Sequence, residues 1–372
     1  MDVYARLGVR PIVNARGMNT MASGSLMPKA VLDAMSEAAG AFVDMTELNA
    51  LAGAHIARLV GVEGAHVTSG SAGGLLLAAA ACMAGSDPHR IQRLPDTTGI
   101  RNEIVIQRCD RIQYDQALRM AGAVLVEVGD GDACLPEAIE AAIGPRTAAL
   151  IYIVSPGLAE RGVGPERMAE LAHAHGLPLI VDAASTLPPV GHLRRWTDTG
   201  ADLVILSGGK GIRGPQNTGL LVGRADLIRA AAANGAPNSA VGRPCKVSKE
   251  AIIGLVAALE LFLQDDHDAE WARHLDEARR ILDAVAEIPG VRARLEEDRR
   301  VWTAPTLLLA IDAAGGLTPA SVMQALRHGE PPIMVRVHRG ELLVDPHCLR
   351  GDEASLVARR LREELLPRPP RP

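Results

Sequence analysis

Short apolar runs alternate with amphipathic stretches across residues 64–223: AHVT then SAGGLLLAAAACMAG, EIVI then YDQALRM, AVLVEV then CLPEAIEAAI, AALIYIV then GPERMAELAHAH, and finally PLIVDAA, ADLVILS and TGLLVG. Runs that are apolar throughout suit strands covered on both faces, and the helical stretches between them suit crossovers joining parallel neighbours. The pattern predicts a large α/β domain with a mainly parallel sheet. Residues 1–25 read as an irregular arm of the kind that covers a neighbouring subunit, followed by helices over 28–40 and 48–60. Long helices are expected over 225–235 and 248–286. Strands near 306–311, 333–337 and 341–344, with helices near 319–327 and 352–364, predict a small α+β C-terminal domain. The expected division is an arm over 1–25, a large domain over 26–250, a small domain over 251–366 that opens on the long linking helix, and a frayed tail, PRPPRP, over 367–372.

At 372 residues the chain exceeds one hydrophobic core, in keeping with two domains. Aromatic residues make up only 2% of it, so Ala, Gly, Val and Leu must fill the interior, which favours helices packed closely on a sheet over a β-sandwich. A formal charge of −5 gives no general attraction to nucleic acid or anionic membranes. Cys82, Cys109, Cys134, Cys245 and Cys348 are odd in number and widely spaced, with no C-x-x-C pair to suggest zinc or a redox dithiol. With no signal-like apolar run at the start and no run of ~20 apolar residues later, a cytoplasmic enzyme without membrane, nucleic-acid or metal partners is expected.

Three elements carry candidate chemistry. LVILSGGKG, over 203–211, ends a buried strand in small residues and presents Lys210 at its carboxyl end, where open α/β sheets hold ligands. By itself this also fits a solvated loop lysine. PLIVDAAST, over 178–186, ends its strand in Asp182, which suits a partner for a pyridine nitrogen and equally a helix N-cap or a magnesium ligand. HVTSGSAGG, over 66–74, turns through Ser69, Gly70, Ser71 and Ala72 into an Ala-rich helix whose free N–H groups would bind a phosphate. It is neither a Walker motif nor a dinucleotide fingerprint.

In this order the three resemble the aspartate-aminotransferase fold (fold type I) of pyridoxal-phosphate enzymes, and within it the selenocysteine synthase-like and D-glucosaminate-6-phosphate ammonia-lyase group. PIVNARGMNT, the stretch from LPDTTGIRNEIVIQ to AVLVEVG, SGGKGIRGPQNTGLLVG, GRPCKVSKEAIIGLVAALE and PPIMVRVHRGELLVDP carry the likeness along nearly the whole chain. The resemblance implies that Lys210 holds pyridoxal 5′-phosphate as a Schiff base and that Asp182 pairs with the pyridine nitrogen. It places Ser69, Gly70, Ser71, Ala72, Ser185 and Ser207 around the cofactor, with Gln216 and Thr218 reaching the phosphate bound by a neighbouring subunit. Relatives carry a histidine placed to stack on the ring where this chain has Asp110, which implies that Tyr114 or another side chain covers the ring, or that the stacking contact is lost and substrate or reaction has diverged with it.

A substrate carboxylate calls for a cation, best a bidentate arginine. Arg336 in IMVRV, and Arg243 and Lys246 in GRPCKVSKE, are candidates, with Asn19, Asn14 and Arg16 of the arm as further pocket residues. For Arg243 and Lys246 a solvated basic loop, and for the arm a purely structural packing, are the alternatives. His55, His66, His173 and His175 show no carboxylate at useful spacing. The expected activity is α,β-elimination from a β-hydroxy amino acid or amino sugar acid, giving a 2-keto acid and ammonia, in a homodimer or higher homo-oligomer. Racemase, aldolase, selenium transferase and a non-catalytic binding protein are the alternatives. Selenium transfer is disfavoured by the acidic balance and by the lack of room for a separate tRNA-binding domain.

Overall fold

A computed structural model describes residues 3–154, 161–312 and 316–366, and the tail over 367–372 lies outside the described residues. The described residues carry strands β1 (Val13–Asn14), β2 (Gly64–Ser69), β3 (Glu103–Gln107), β4 (Val124–Val128), β5 (Thr147–Ile153), β6 (Leu179–Asp182) and β7 (Leu203–Ser207). They continue with β8 (Thr218–Gly223), β9 (Val291–Glu296), β10 (Thr306–Ile311), β11 (Ile333–Met334), β12 (Arg336–His338) and β13 (Glu341–Val344). The chain divides into two compact units, Met27–Asp265 in one, and in the other the residues up to Leu26 together with those from Asp266 onward.

The first unit is built on a seven-stranded sheet of order β2-β8-β7-β6-β5-β3-β4. Strands β3 to β7 pair in parallel, and β8 runs antiparallel to both β2 and β7. The reversal at TGLLVG has a simple cause: the link from Ser207 to Thr218 is shorter than the crossover of about a dozen residues that a parallel return requires. Every residue of β5, β7 and β8 is buried, as continuous apolar runs demand. Ile104, Ile151, Ile180 and Ile205 pack on one face beneath the helix Gly70–Ala84; Val105, Leu150, Val181 and Val204 pack on the other with Ile56, Met168 and Leu255.

The long helix expected over 248–286 is two helices, Lys249–Gln264 and His267–Val285, because the Asp266 side chain accepts the Ala269 N–H at 2.9 Å and starts the second. The first of them buries Ile252, Leu255, Leu259 and Phe262 in the core of the large unit. The division therefore falls at Asp265, and the linking helix belongs with the sheet.

The second unit contains a four-stranded antiparallel sheet, β12-β13-β10-β9, whose core joins Ile281, Val285, Leu307, Leu309, Leu342, Val344, Val357 and Leu361. Strand β9, VRARLE, alternates with charged residues that face water, and short alternation of this kind left no apolar run to read. The N-terminal arm is part of this unit: β1 pairs in parallel with β11, and Val13 and Ala15 are buried. Among the described residues no helix is long and apolar enough to cross a membrane.

Candidate active site

The carboxyl ends of four parallel strands lie level at one edge of the large sheet, because Ile106 stands opposite Ile151, Ile153 opposite Asp182, and Asp182 opposite Ile205. Asp182 ends β6 and is only 5% exposed; its Oδ1 accepts the Ala184 N–H at 3.0 Å. Lys210 follows β7 in a tight turn held by Gly208 N–H to Thr218 O (2.9 Å), Gly214 N–H to Gly208 O (2.8 Å) and Arg213 N–H to Lys210 O (2.9 Å). Its Nζ donates to Ser185 Oγ at 2.5 Å, so the loop after β6 and the loop after β7 meet at the ammonium.

The small residues of SGGKG are required by contact. A Cβ on Gly209 would lie 2.4 Å from Gln216 Cα, a backbone atom that cannot swing aside. Gly209→Ala is expected to cost about 1–3 kcal/mol of stability, read as a lower thermal midpoint, and to displace Lys210 from Ser185.

Burial pushes the Asp182 carboxyl above its usual range, opposed by the Ala184 N–H and the Lys210 charge. Burial likewise pulls the Lys210 ammonium below its usual range, opposed by Asp182. Each group thus leans toward its neutral form, the condition for an amine that acts as nucleophile or base. The chain has four lysines, Lys29, Lys210, Lys246 and Lys249. Lys29 is exposed and paired with Asp33 at 2.6 Å, Lys249 is held by Ala38 O at 2.6 Å and Glu250 at 2.5 Å, and Lys246 is exposed. Of the four, Lys210 is the one that follows a strand of the large sheet, β7, whose neighbour β6 ends in the buried Asp182.

Ser69 ends β2 opposite Thr218, and Ser207 ends β7 opposite Gly219, so β8 alone separates the two serines. The helix Gly70–Ala84 begins at Ser69 with no side-chain cap; Ser69, Gly70 and Ser71 are half-buried and Ala72 is exposed. An uncapped start on a long helix, a buried carboxyl and an amine of depressed basicity fit the phosphate, ring nitrogen and aldehyde of pyridoxal phosphate.

Several expected residues stand otherwise. The Thr218 side chain is fully buried and donates to Pro215 O at 2.6 Å, while Gln216 is exposed. Arg243 and Lys246 are exposed on the loop whose Cys245 packs near Gly73, beside the helix start. In the other unit, Asn19 Oδ1 is committed to the Met21 N–H at 3.0 Å as a helical cap, and Arg336 is half-buried on β12. Three of the four histidines noted have carboxylates that sequence distance concealed: His55 meets Glu260 at 2.7 Å, His173 meets Asp202 at 2.9 Å and His175 meets Glu140 at 3.9 Å. Asp202 precedes β7, and so the second pair lies at the opposite edge of the sheet from Lys210. A cavity of about 320 Å³ at that edge is lined by Asp202 and Arg224, already paired with one another at 2.9 Å.

Tyr114 is 62% exposed, whereas Asp110 is 1% exposed and turned inward. Gln107 Nε2 donates to Asp110 Oδ2 at 3.1 Å, and Oδ1 makes no hydrogen bond among the described residues. Burial pushes this carboxyl up to about 7, against the pull of the Ile153 N–H and the Gln107 amide. Because the folded value is raised, the stability that the neutral form contributes is complete at low pH and is lost as pH climbs through 7. Asp110→Asn is therefore expected to melt above the wild type at about pH 8 by on the order of 3 kcal/mol, with the gap closing toward about pH 4.

Comparison with known proteins supplies the lineage. The family described as L-seryl-tRNA selenium transferase (SelA) matches residues 46–298. A 5′-C-glycyluridine monooxygenase-decarboxylase of Streptomyces sp is 37% identical, covering 98% of this chain and 92% of that protein. A D-glucosaminate-6-phosphate ammonia lyase of Salmonella typhimurium is 32% identical, covering 97% of each. A solved structure of D-glucosaminate-6-phosphate ammonia-lyase superimposes with a TM-score of 0.83 at 32% identity over 98% of both chains. The architecture is that of fold type I, and the chain belongs to the L-seryl-tRNA selenium transferase family.

Proposed function

We propose that this protein is a pyridoxal-phosphate-dependent ammonia lyase acting on an amino sugar acid. The observation that carries the reading is Lys210, its ammonium depressed by burial, set at one sheet edge with the buried Asp182. Its sequence and fold relationship to a D-glucosaminate-6-phosphate ammonia lyase along the whole chain gives the reaction class.

Pyridoxal phosphate, when bound, supplies an aldehyde carbon for an amine and an electron-poor ring that stabilises negative charge at a substrate Cα. Ser69, Gly70, Ser71 and Ala72 bind its phosphate at the helix start, with Ser207 across β8. Asp182 holds the proton on the ring nitrogen; an ionised carboxylate there gains the cationic partner that its burial otherwise lacks. Ser185 orients Lys210 Nζ, and that amine would take the Cα proton of a bound substrate. Loss of a β-hydroxyl as water leaves, after hydrolysis, a 2-keto acid and ammonia.

Both similar enzymes are named for an amino acid carried on a sugar skeleton, glucosaminate in one and glycyluridine in the other. A polyhydroxylated α-amino acid is therefore the substrate class. Exposed Leu32, Phe42, Val43 and Leu51 on the large unit suit contact with a second copy in a homodimer. Five free cysteines, one of them buried, suit the cytoplasm.

Loss of the carboxylate enters as a second reading only with the Streptomyces relative and its 37% identity. Product analysis separates the two. Holoenzyme given D-glucosaminate 6-phosphate is expected to release ammonia and a 2-keto acid in equal amounts without consuming oxygen. Carbon dioxide release coupled to oxygen uptake from 5′-C-glycyluridine, with no ammonia from the sugar acid, would transfer the assignment to the decarboxylase.

A further inference from the structure

Among the described residues of the second unit, Arg16, Arg336 and Arg360 have a buried, unsatisfied Nε, and of these Arg360 is paired through its other nitrogens with Glu363 and Glu364. Arg336, on β12, is half-buried and among the described residues makes no hydrogen bond or ion pair; its Nε is fully buried and unsatisfied. Arg16, from the N-terminal arm, also has a buried, unsatisfied Nε. Its other nitrogens reach only Val335 O at 3.4 Å and the Met21 sulfur at 3.9 Å, both long contacts. An unsatisfied buried donor on a charged group is costly, more so than on a neutral one. Such a pair calls for an acceptor.

The backbone is built to hold Arg16 there. Ala15 N–H donates to Met334 O and Asp345 N–H donates to Ala15 O, each at 2.9 Å, and Arg16 bridges to Asp345. The next residue, Gly17, has φ +82°, and a Cβ on it would meet Asp345 Oδ2 at 2.0 Å, so only glycine lets the arm lie against that carboxyl. Arg16 N–H donates to Asn14 Oδ1 at 3.0 Å, which closes the turn. The arm thus brings Arg16 to Val335, the neighbour of Arg336 in the chain. Burial lowers the Arg336 guanidinium, the charge of Asp345 opposes this, and the charge of Arg16 adds to it. Arg16 also lines a cavity of about 170 Å³ with Met21, Met323, Met334 and Val335, which gives room for a small group beside its guanidinium.

We infer that Arg16 completes, with Arg336, a two-guanidinium site for one oxyanion, a carboxylate or a phosphate of a small molecule. Two planar forks can surround one oxyanion with more N–H donors than the pair that a single bidentate arginine supplies, and a lysine offers no fork at all. The site stands on the second unit alone and does not depend on the lyase reading.

The test titrates malonate and, separately, inorganic phosphate into protein saturated with pyridoxal phosphate, so that the helix start at Ser69 is already filled, and follows the thermal midpoint. In the wild type at least one anion is expected to bind at millimolar concentration or below. Preference for malonate assigns the site to a carboxylate, and preference for phosphate to a phosphorylated group. Arg16→Gln and Arg336→Gln are each expected to weaken that anion by at least about tenfold, and the double variant by little more than the worse single one, because both hold the same group. Arg299→Gln, at a residue stacked on Trp271 in the same unit, serves as a control and leaves binding unchanged. If Arg16→Gln does not fold, Arg16→Lys, which keeps the charge and loses the fork, is expected to show the same loss in smaller measure. Unchanged anion affinity in a folded Arg16 variant, or no saturable binding by the wild type, overturns the inference. Ammonia release tests the lyase reading separately, so each can fail without the other.

Discussion

Lys210→Ala is expected to abolish the visible absorbance band that the wild-type protein gains with pyridoxal phosphate and to lower turnover by at least about 10²–10⁴-fold, the range for loss of a general base. The expectation follows from position and chemistry together. Lys210 extends from a turn closed on both sides by backbone hydrogen bonds, and burial has already removed part of the energy needed to deprotonate it. Stability should change little, because removing the ammonium also removes the cost of burying it. Lys246→Ala should keep the band, since Lys246 is exposed. A band that survives in Lys210→Ala and vanishes in Lys246→Ala would relocate the site.

Asp182→Asn is expected to lower turnover by roughly 10²–10³-fold, as for loss of one charge-stabilising group, while the protein still takes up cofactor through the helix start and Lys210. Without cofactor the same change has the opposite sign. Burial raises the Asp182 carboxyl, so its ionised form destabilises the fold as pH rises. Cofactor-free Asp182→Asn should then melt at or above the wild type at about pH 8, and match it more closely at about pH 4. A variant that loses activity and gains or keeps stability separates a cofactor partner from a structural carboxylate. Lower apo stability at high pH would count against the assignment.

Much of the sheet was legible because its strands are apolar on both faces and long enough to stand out, as in LVILS and TGLLVG. The direction of β8 was not, since pairing sense depends on the length of the link, and the pattern of TGLLVG is the same in either sense. The start of the second long helix turned on one capping side chain, Asp266, inside a run that is helical in period on both sides. Lys210, Asp182 and the Ser69 turn were visible as strand ends with the right residue types. The Thr218 hydroxyl, beside a buried strand, finds the carbonyl of Pro215, and sequence gives no sign of which way such a hydroxyl turns. Arg16 was noted only as a pocket residue, because its importance arises from an unsatisfied Nε beside Val335, some three hundred residues away in the chain. His55 and His173 lacked partners in sequence for the same reason, their carboxylates being distant along the chain and adjacent in the fold.

With only four lysines in the chain, one chemical measurement bears on the central claim directly. Holoenzyme is reduced with borohydride, which fixes the cofactor to the lysine that carries it, and is then digested and analysed by mass spectrometry. The account predicts one phosphopyridoxyl group, on the peptide that contains Lys210. Label on Lys29, Lys246 or Lys249, or protein that takes up no label after saturation with pyridoxal phosphate, would contradict it.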